Sequence, residues 1–245
     1  MQVRVYSNPE QVGQAAAMLI GAQIIHKPDS VLGLATGSTP IPTYKALVDM
    51  YKAGLLDFSK TVSFNLDEYV GIDPHHPCSY HAFMQENLFS HVNIAPEHTH
   101  IPDGNAADLD AAAYAYDEAI LAAGGIDLQL LGIGHNAHIG FNEPDEQFVY
   151  GCHKVNLSES TIEANKRFFD SADDVPRYAV SLGIGSIMQA RRVLLLATGA
   201  DKAEAVRRAL EENVSPLWQA SILRTHPDVI FMLDEAAASK LTKRG

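Results

Sequence analysis

Residues 126–144 read IDLQLLGIGHNAHIGFNEP, an apolar run followed at once by a loop crowded with glycine and polar residues. The run IDLQLLG is apolar at successive positions rather than alternating, which is typical of a strand covered on both faces. Comparable β-rich runs lie elsewhere in the chain: VRVY (3–6), SVLGLA (30–35), TVSFNL (61–66), RYAVSLG (177–183), RRVLLLATG (191–199) and PDVIFMLD (227–234). We therefore predict a mostly parallel sheet.

Helical patterns fill the stretches between the predicted strands, and several begin with Asn, Ser or Asp at a capping position. The candidate helices are 8–27, 41–53, 79–90, 106–123, 158–169, 201–212 and 235–241. This alternation predicts an α/β fold, doubly wound and Rossmann-like, with helices on both faces of the sheet. The length suits a single domain, 1–245, in which the aperiodic stretch 141–157 is a candidate lid or loop.

The amino-acid composition argues against nucleic acids and membranes as binding partners. The chain is 47% hydrophobic with a formal net charge of -12, so its overall field repels nucleic acids and anionic lipids. We expect no nucleic-acid or membrane partner, because no segment reaches membrane-spanning length. Cys78 and Cys152 form no C-x-x-C pair, and the N-terminus does not resemble a leader peptide, so we expect a cytoplasmic protein.

In an open α/β sheet, ligands bind at the carboxyl ends of the strands. The strand ending at residue 35 leads into TGSTP (36–40) and then a helical pattern. A glycine and hydroxyl groups between a strand and a helix N-terminus can cradle an anion with backbone N–H groups. An ordinary glycine turn followed by a Ser or Thr helix cap explains the segment 36–40 equally well.

The next predicted strand ends in DEYVG (67–71), which places two carboxylates at the mouth of the sheet. A partly desolvated carboxylate can remove a proton from carbon. Because adjacent residues of an extended segment point in opposite directions, one of Asp67 and Glu68 faces the site and the other makes structural contacts. A helix cap or a solvated pair is the alternative.

The loop GIGHNAHIGFNEP (132–144) brings Asn136, His138, Asn142 and Glu143 together. A histidine close to a glutamate can move a proton between sugar oxygens near neutral pH, which favours a catalytic loop over a structural one. Lys202, in the first turn of a predicted helix, and Arg167 are candidate anion ligands, although either can be an ordinary surface cation. The other histidines have no metal-ligand spacing, so we predict no metal.

Five segments resemble the glucosamine-6-phosphate deaminases, also called glucosamine-6-phosphate isomerases. They occur in the family's order and spacing: LATGSTP (34–40), FNLDEYVG (64–71), GIGHNAHIGFNEP (132–144), NKRFFD (165–170) and TGADKAEAV (198–206). The resemblance covers essentially the whole chain. The 6-phosphogluconolactonases share the fold but are expected to lack DEY and FNEP, and a lactonase-like hydrolase or a non-catalytic sugar-phosphate sensor is the alternative.

The resemblance implies conversion of glucosamine 6-phosphate and water to fructose 6-phosphate and ammonia, without a cofactor. We class this activity as that of a hydrolase in amino-sugar metabolism and N-acetylglucosamine degradation. By similarity Asp67 is the base at C2, and His138, Glu143 and Asn136 open the ring. The phosphate-binding positions implied are Thr36, Gly37, Ser38, Thr39, Arg167 and Lys202.

Two positions depart from family patterns. Position 137 is Ala where the family has Gly, and if the backbone there has positive φ, the methyl costs on the order of 1 kcal/mol. Position 136 is Asn, as in the shorter family members, where the hexameric enzymes carry Asp. The chain lacks the longer tail of the regulated members, and His153 replaces an expected effector-binding Arg, so we expect a monomer without N-acetylglucosamine 6-phosphate activation.

Overall fold

The computed structural model describes residues 1–166, 169, 171 and 174–242. These residues form the strands β1 (Gln2–Tyr6), β2 (Val31–Leu34), β3 (Val62–Asn65), β4 (Asp67–Tyr69), β5 (Thr99–His100), β6 (Leu128–Leu131), β7 (His153–Asn156), β8 (Tyr178–Ser181), β9 (Arg192–Ala197) and β10 (Val229–Asp234). The α-helices are α1 (Pro9–His26), α2 (Ile41–Lys52), α3 (Tyr80–Asn87), α4 (Leu109–Ala122), α5 (Glu159–Asn165), α6 (Ile184–Met188) and α7 (Ala203–Glu211). Short 3-10 helices span Phe89–His91, Pro96–His98, Ala200–Lys202 and Gln219–Thr225.

The main sheet has seven strands in the order β1-β10-β9-β6-β2-β3-β5, and every pairing in it is parallel. Alternate residues of β9 point to opposite faces of the sheet. On one face Val193 and Leu195 pack with α4, α6 and α7. On the other face Leu194 and Leu196 pack with α1 and α2. Helices therefore cover both faces, and the predicted doubly wound α/β fold is confirmed. None of the described helices has the length and apolar character needed to cross a membrane.

A second sheet corrects one of the predicted strands. Segment 177–183 is expected in the main sheet, but β8 lies in a separate three-stranded antiparallel sheet of order β4-β8-β7. An apolar run indicates burial on both faces and does not identify the neighbouring strand. This small sheet positions the site, because it pairs Asp67 with Ser181 and fixes the segment that continues from the end of β3.

Other differences concern short or polar elements. The prediction of a helix at 235–241 is wrong: these residues form turns after β10, beginning with the Ala237 and Ala238 amides bonded to Asp234. β5 and β7 are not predicted from the sequence, and β7 shows that the end of the aperiodic stretch 141–157 is a strand rather than a loop. The predicted helix 158–169 is described as far as residue 166.

Candidate active site

A cleft of about 390 Å³ opens at the carboxyl ends of the central parallel strands. Loops that follow β2, β3, β6 and β9 all contribute to it, as expected for an open α/β sheet. Its lining includes Thr36, Asp67, Asn136, His138, Thr161 and Lys202. Residues from sequence-distant loops therefore meet in one space, which is the arrangement expected of a small-molecule site.

Asp67 and Glu68 take opposite roles, as the alternation of an extended segment requires. Both are buried. The Glu68 carboxylate accepts hydrogen bonds from the Tyr80 and His81 amides at the start of α3, at 3.0 Å each, and from the Tyr69 amide at 2.9 Å. Glu68 thus anchors α3, while Asp67 lines the cleft.

The Asp67 carboxyl lies in a buried position that raises its pKa. Burial, and second the like charge of Glu68, raise the pKa from 3.8 to about 8. Over the described part of the chain, no donor hydrogen-bonds the Asp67 carboxylate to offset this. Tyr80 and Phe141 also line the cleft, with their rings stacked at 6.1 Å between centroids. A desolvated carboxylate of this kind is a strong base once it is ionised.

Asn136, His138 and Glu143 converge within the loop that follows β6. Asn136 Nδ2 donates to Glu143 Oε2 at 2.6 Å, and the His138 amide donates to Asn136 Oδ1 at 3.2 Å. His138 Nδ1 lies 3.4 Å from the same Glu143 oxygen, within ion-pair range but without hydrogen-bond alignment. The three predicted residues therefore form one cluster beside the cleft.

The Glu143 carboxylate is held ionised. Burial alone would raise its pKa, but the neighbouring His138 and hydrogen bonds from Thr161 and Asn136 outweigh burial and hold the pKa at about 2. Its main-chain carbonyl accepts from Gln219 Nε2 at 3.1 Å. Glu143 is thus a fixed negative charge that can orient the imidazole of His138.

Backbone geometry in this loop accounts for two of its small residues. An added Cβ at Gly134 would lie 2.3 Å from His138 Nε2, so the imidazole occupies the space that a side chain would need. Ala137 has φ 65°, the left-handed region where Gly is expected from the family pattern, and its side chain is fully buried. Burial of the methyl group offsets part of the strain, which is how Ala is accommodated there.

The proposed anion loop follows β2, which lies between β3 and β6 in the sheet. Thr36, Gly37, Ser38 and Thr39 connect β2 to α2 and line the cleft, with Gly37 at φ 91°. α2 begins without a side-chain cap, but Pro42 has no N–H and the Tyr44 amide donates to the Pro40 carbonyl, so the loop before α2 is the candidate source of donors to an anion. Lys202 ends the 3-10 turn before α7, with its Nζ 3.9 Å from Asp201. Arg167 lies outside the described residues.

Three further residues of the site are not predicted from the sequence. Thr161 on α5 donates from its hydroxyl to Glu143 Oε1, and the Asp201 carboxylate lies 2.8 Å from His135 Nε2. Tyr80 supplies an aromatic wall. Thr161 lies in a polar helix without a motif, so the sequence carries no signal for it. Among the described residues, no three His, Cys, Asp or Glu side chains cluster as metal ligands.

Comparisons with known sequences agree with this arrangement. A family model described as glucosamine-6-phosphate isomerases/6-phosphogluconolactonase matches residues 8–231. A glucosamine-6-phosphate deaminase from Halothermothrix orenii is 54% identical over 241 residues, covering 98% of this chain and 100% of that relative. Another from Clostridioides difficile is 52% identical over 244 residues, covering 100% of this chain and 98% of that relative.

Two solved structures resemble this chain to different degrees. A structure described as a monomeric glucosamine-6-phosphate deaminase superposes with a TM-score of 0.95 at 44% identity, covering 98% of this chain and 99% of that chain. A 6-phosphogluconolactonase from Trypanosoma cruzi gives a TM-score of 0.78 at 21% identity, covering 99% and 97%, a likeness of fold alone.

The names of these relatives also bear on how the enzyme is classed. The sequence relatives are named deaminases and the family description includes isomerases, so the expected hydrolase class has no support for this chain. The lactonase alternative is not favoured, because the full-length relatives at about half identity are deaminases. The shared sequence, the matching fold and the family model together place this chain in the glucosamine-6-phosphate deaminase family.

Proposed function

We propose that this protein converts glucosamine 6-phosphate and water to fructose 6-phosphate and ammonia. The observation that carries the proposal is a desolvated carboxyl, Asp67, facing the same cleft as the His138–Glu143 pair. Aldose-to-ketose conversion of a cyclic sugar needs two differently tuned groups, one for protons on oxygen and one for a proton on carbon. The identity of the substrate is inferred from the relatives, which are named glucosamine-6-phosphate deaminases.

Ring opening is the task of His138. The imidazole passes a proton to the ring oxygen while the anomeric hydroxyl loses one, so the C1–O bond to the ring breaks and C1 becomes an aldehyde. An imidazole suits this exchange near neutral pH. Glu143, with its pKa held at about 2, is an ionised partner that orients the ring, and Asn136 fixes the Glu143 oxygen that faces His138.

Enolisation and deamination are the task of Asp67. Its carboxylate takes the C2 proton as O1 is protonated, giving an enolamine, and returns the proton to C1. C1 is then a hydroxymethyl group and C2 an iminium. Water adds to C2, ammonia leaves, and C2 becomes the carbonyl of fructose 6-phosphate. Burial of Asp67 keeps its basicity high and its orientation fixed over the open chain.

The substrate phosphate binds between the loop that follows β2 and Lys202, which both line the cleft. Amides of residues 36–39 supply hydrogen bonds, and Lys202 supplies a positive charge in a protein whose net charge is -12. Arg167 is proposed as a second cation on the basis of the resemblance alone. Binding energy from the phosphate holds the flexible open chain in reacting geometry.

We further propose that the protein acts as a monomer in the cytoplasm, in the degradation of N-acetylglucosamine. Similarity to a structure described as monomeric supports the first point, and the composition supports the second. We also propose that residues 1–245 form one domain, with 141–157 as a candidate lid or loop region.

Product analysis of the wild-type protein tests the proposal. Purified protein is incubated with glucosamine 6-phosphate, and ammonia and fructose 6-phosphate are quantified separately. We expect the two products in a one-to-one ratio. Parallel incubation with 6-phosphogluconolactone measures the lactonase alternative. Absence of ammonia, or lactone hydrolysis faster than deamination, would overturn the assignment.

A further inference from the structure

Glu143 is held by a residue from a different element, Thr161 of α5. The two carboxylate oxygens have separate partners: Oε2 receives Asn136 Nδ2 and faces His138, while Oε1 accepts from the Thr161 hydroxyl. A carboxylate fixed at both oxygens cannot rotate freely. We propose that Thr161 is a positioning residue for ring opening, fixing the Glu143 carboxylate against His138. This inference rests on the proposed function.

The hydroxyl proton of Thr161 has a defined direction. Ser158, the N-cap of α5, donates from its Oγ to Thr161 Oγ1 at 3.1 Å, and the Thr161 amide donates back to Ser158 Oγ at 3.2 Å. Since Thr161 Oγ1 accepts from Ser158, its own hydrogen is directed to Glu143. The cap of α5 therefore sets both the place of the Thr161 hydroxyl and the direction in which it donates.

Burial makes this contact consequential. Thr161 is 6% exposed and the Glu143 side chain 14% exposed, so little water is available to replace a lost donor. Without the hydroxyl, Glu143 Oε1 would be left short of a partner and the carboxylate would turn away from the geometry that orients the imidazole. Asp67 and the phosphate loop belong to other elements, so their steps would be unaffected.

Three variants separate this role from simple packing. Thr161→Val keeps the shape and removes the hydroxyl, Thr161→Ser keeps the hydroxyl, and Thr61→Val is the matched control. Thr61 is also a buried threonine with a hydrogen-bonded hydroxyl, but it precedes β3 and so lies at the amino ends of the strands, whereas the cleft lies at their carboxyl ends. Each protein is assayed for ammonia release, giving kcat and KM, and thermal unfolding confirms that it is folded.

Binding of an acyclic analogue isolates the ring-opening step. The probe is the alditol made by reducing the C1 aldehyde of glucosamine 6-phosphate, which needs no ring opening to bind. We expect Thr161→Val to lower kcat about 10- to 100-fold, the loss of one hydrogen bond to a charged group, while the Kd of the alditol changes less than about threefold. Thr161→Ser recovers most of the loss, and Thr61→Val stays within about twofold of wild type.

Several results would overturn the inference. They are a kcat of Thr161→Val within threefold of wild type, equal losses in the Val and Ser variants, or a loss of alditol binding that matches the loss of kcat. If Thr161→Val does not fold, Thr161→Ala is judged by the same criteria. Failure of the proposed function is distinguishable, because it would appear as absence of ammonia with the wild-type protein.

Discussion

Substitution of Asp67 by Asn removes a buried titrating carboxyl at the centre of the site while nearly preserving its shape. In the folded protein the pKa of Asp67 is raised, chiefly by burial, from 3.8 to about 8. Between these values the folded state holds a proton that the unfolded state has released, so wild-type stability must fall as pH rises. Below the lower value both states are protonated and the carboxyl has no effect. Above the upper value the full cost of a buried charge is present.

The magnitude follows from the width of this window. The interval from 3.8 to about 8 is roughly 4 pH units, and at ~1.4 kcal/mol per unit it corresponds to about 6 kcal/mol. Between about pH 5 and pH 9 roughly 3 of these units are crossed, or ~4 kcal/mol. The free energy of unfolding of Asp67→Asn, relative to that of wild type, should therefore rise by about 4 kcal/mol from pH 5 to pH 9. The cost of burying the Asn amide does not depend on pH and does not affect this difference.

Urea unfolding of wild type and Asp67→Asn at the two pH values measures this gain. The free-energy difference between the proteins is taken at each pH, so costs that do not depend on pH cancel. Asp49→Asn, which replaces an exposed aspartate of α2, controls for the loss of one surface charge. A pH-dependent change below about 1 kcal/mol would refute the desolvated state of Asp67.

Three other substitutions test the loop and the phosphate end. Ala137→Gly should change the free energy of unfolding by less than about 1 kcal/mol, because relief at φ 65° is offset by loss of a buried methyl and a more flexible unfolded chain; a gain above about 2 kcal/mol in urea unfolding would show uncompensated strain. Gly134→Ala should lower kcat about 100-fold in a folded protein, because the new Cβ displaces the His138 imidazole, and a wild-type kcat would contradict that contact. Lys202→Ala should raise KM about tenfold more than it lowers kcat, and an unaltered KM in steady-state kinetics would count against a phosphate contact.

The main sheet could be predicted because its strands are apolar on both faces. β9 and β10 consist almost entirely of consecutive buried residues, a pattern that amphipathic helices and surface loops rarely produce. β7, HKVN, exposes two of its four residues and carries no such signal. For 177–183 the apolar run predicts a strand but not its partners, since antiparallel pairing with β4 depends on how the chain turns after β3. The alanines of 235–241 favour a helix locally, whereas Asp234 bonds the Ala237 and Gly199 amides and turns the chain.

The site could be predicted where its functional residues lie close together in the sequence. Alternation requires Asp67 and Glu68 to point in opposite directions. Which of them faces the cleft depends on the position of α3, whose first amides bind Glu68, and this tertiary contact cannot be read from the sequence. The cluster of Asn136, His138 and Glu143 is local in sequence and is therefore predictable. Thr161 reaches Glu143 across 18 positions of sequence, and no spacing rule predicts that contact.

The most direct test of the account is ammonia release by wild type and Asp67→Asn at about pH 8.5. Both proteins are assayed with saturating glucosamine 6-phosphate after thermal unfolding has shown that each is folded. Loss of a positioned general base should lower kcat by on the order of 10³-fold in the variant, with alditol binding retained. A variant that releases ammonia within tenfold of the wild-type rate would contradict the role of Asp67 as the base at C2.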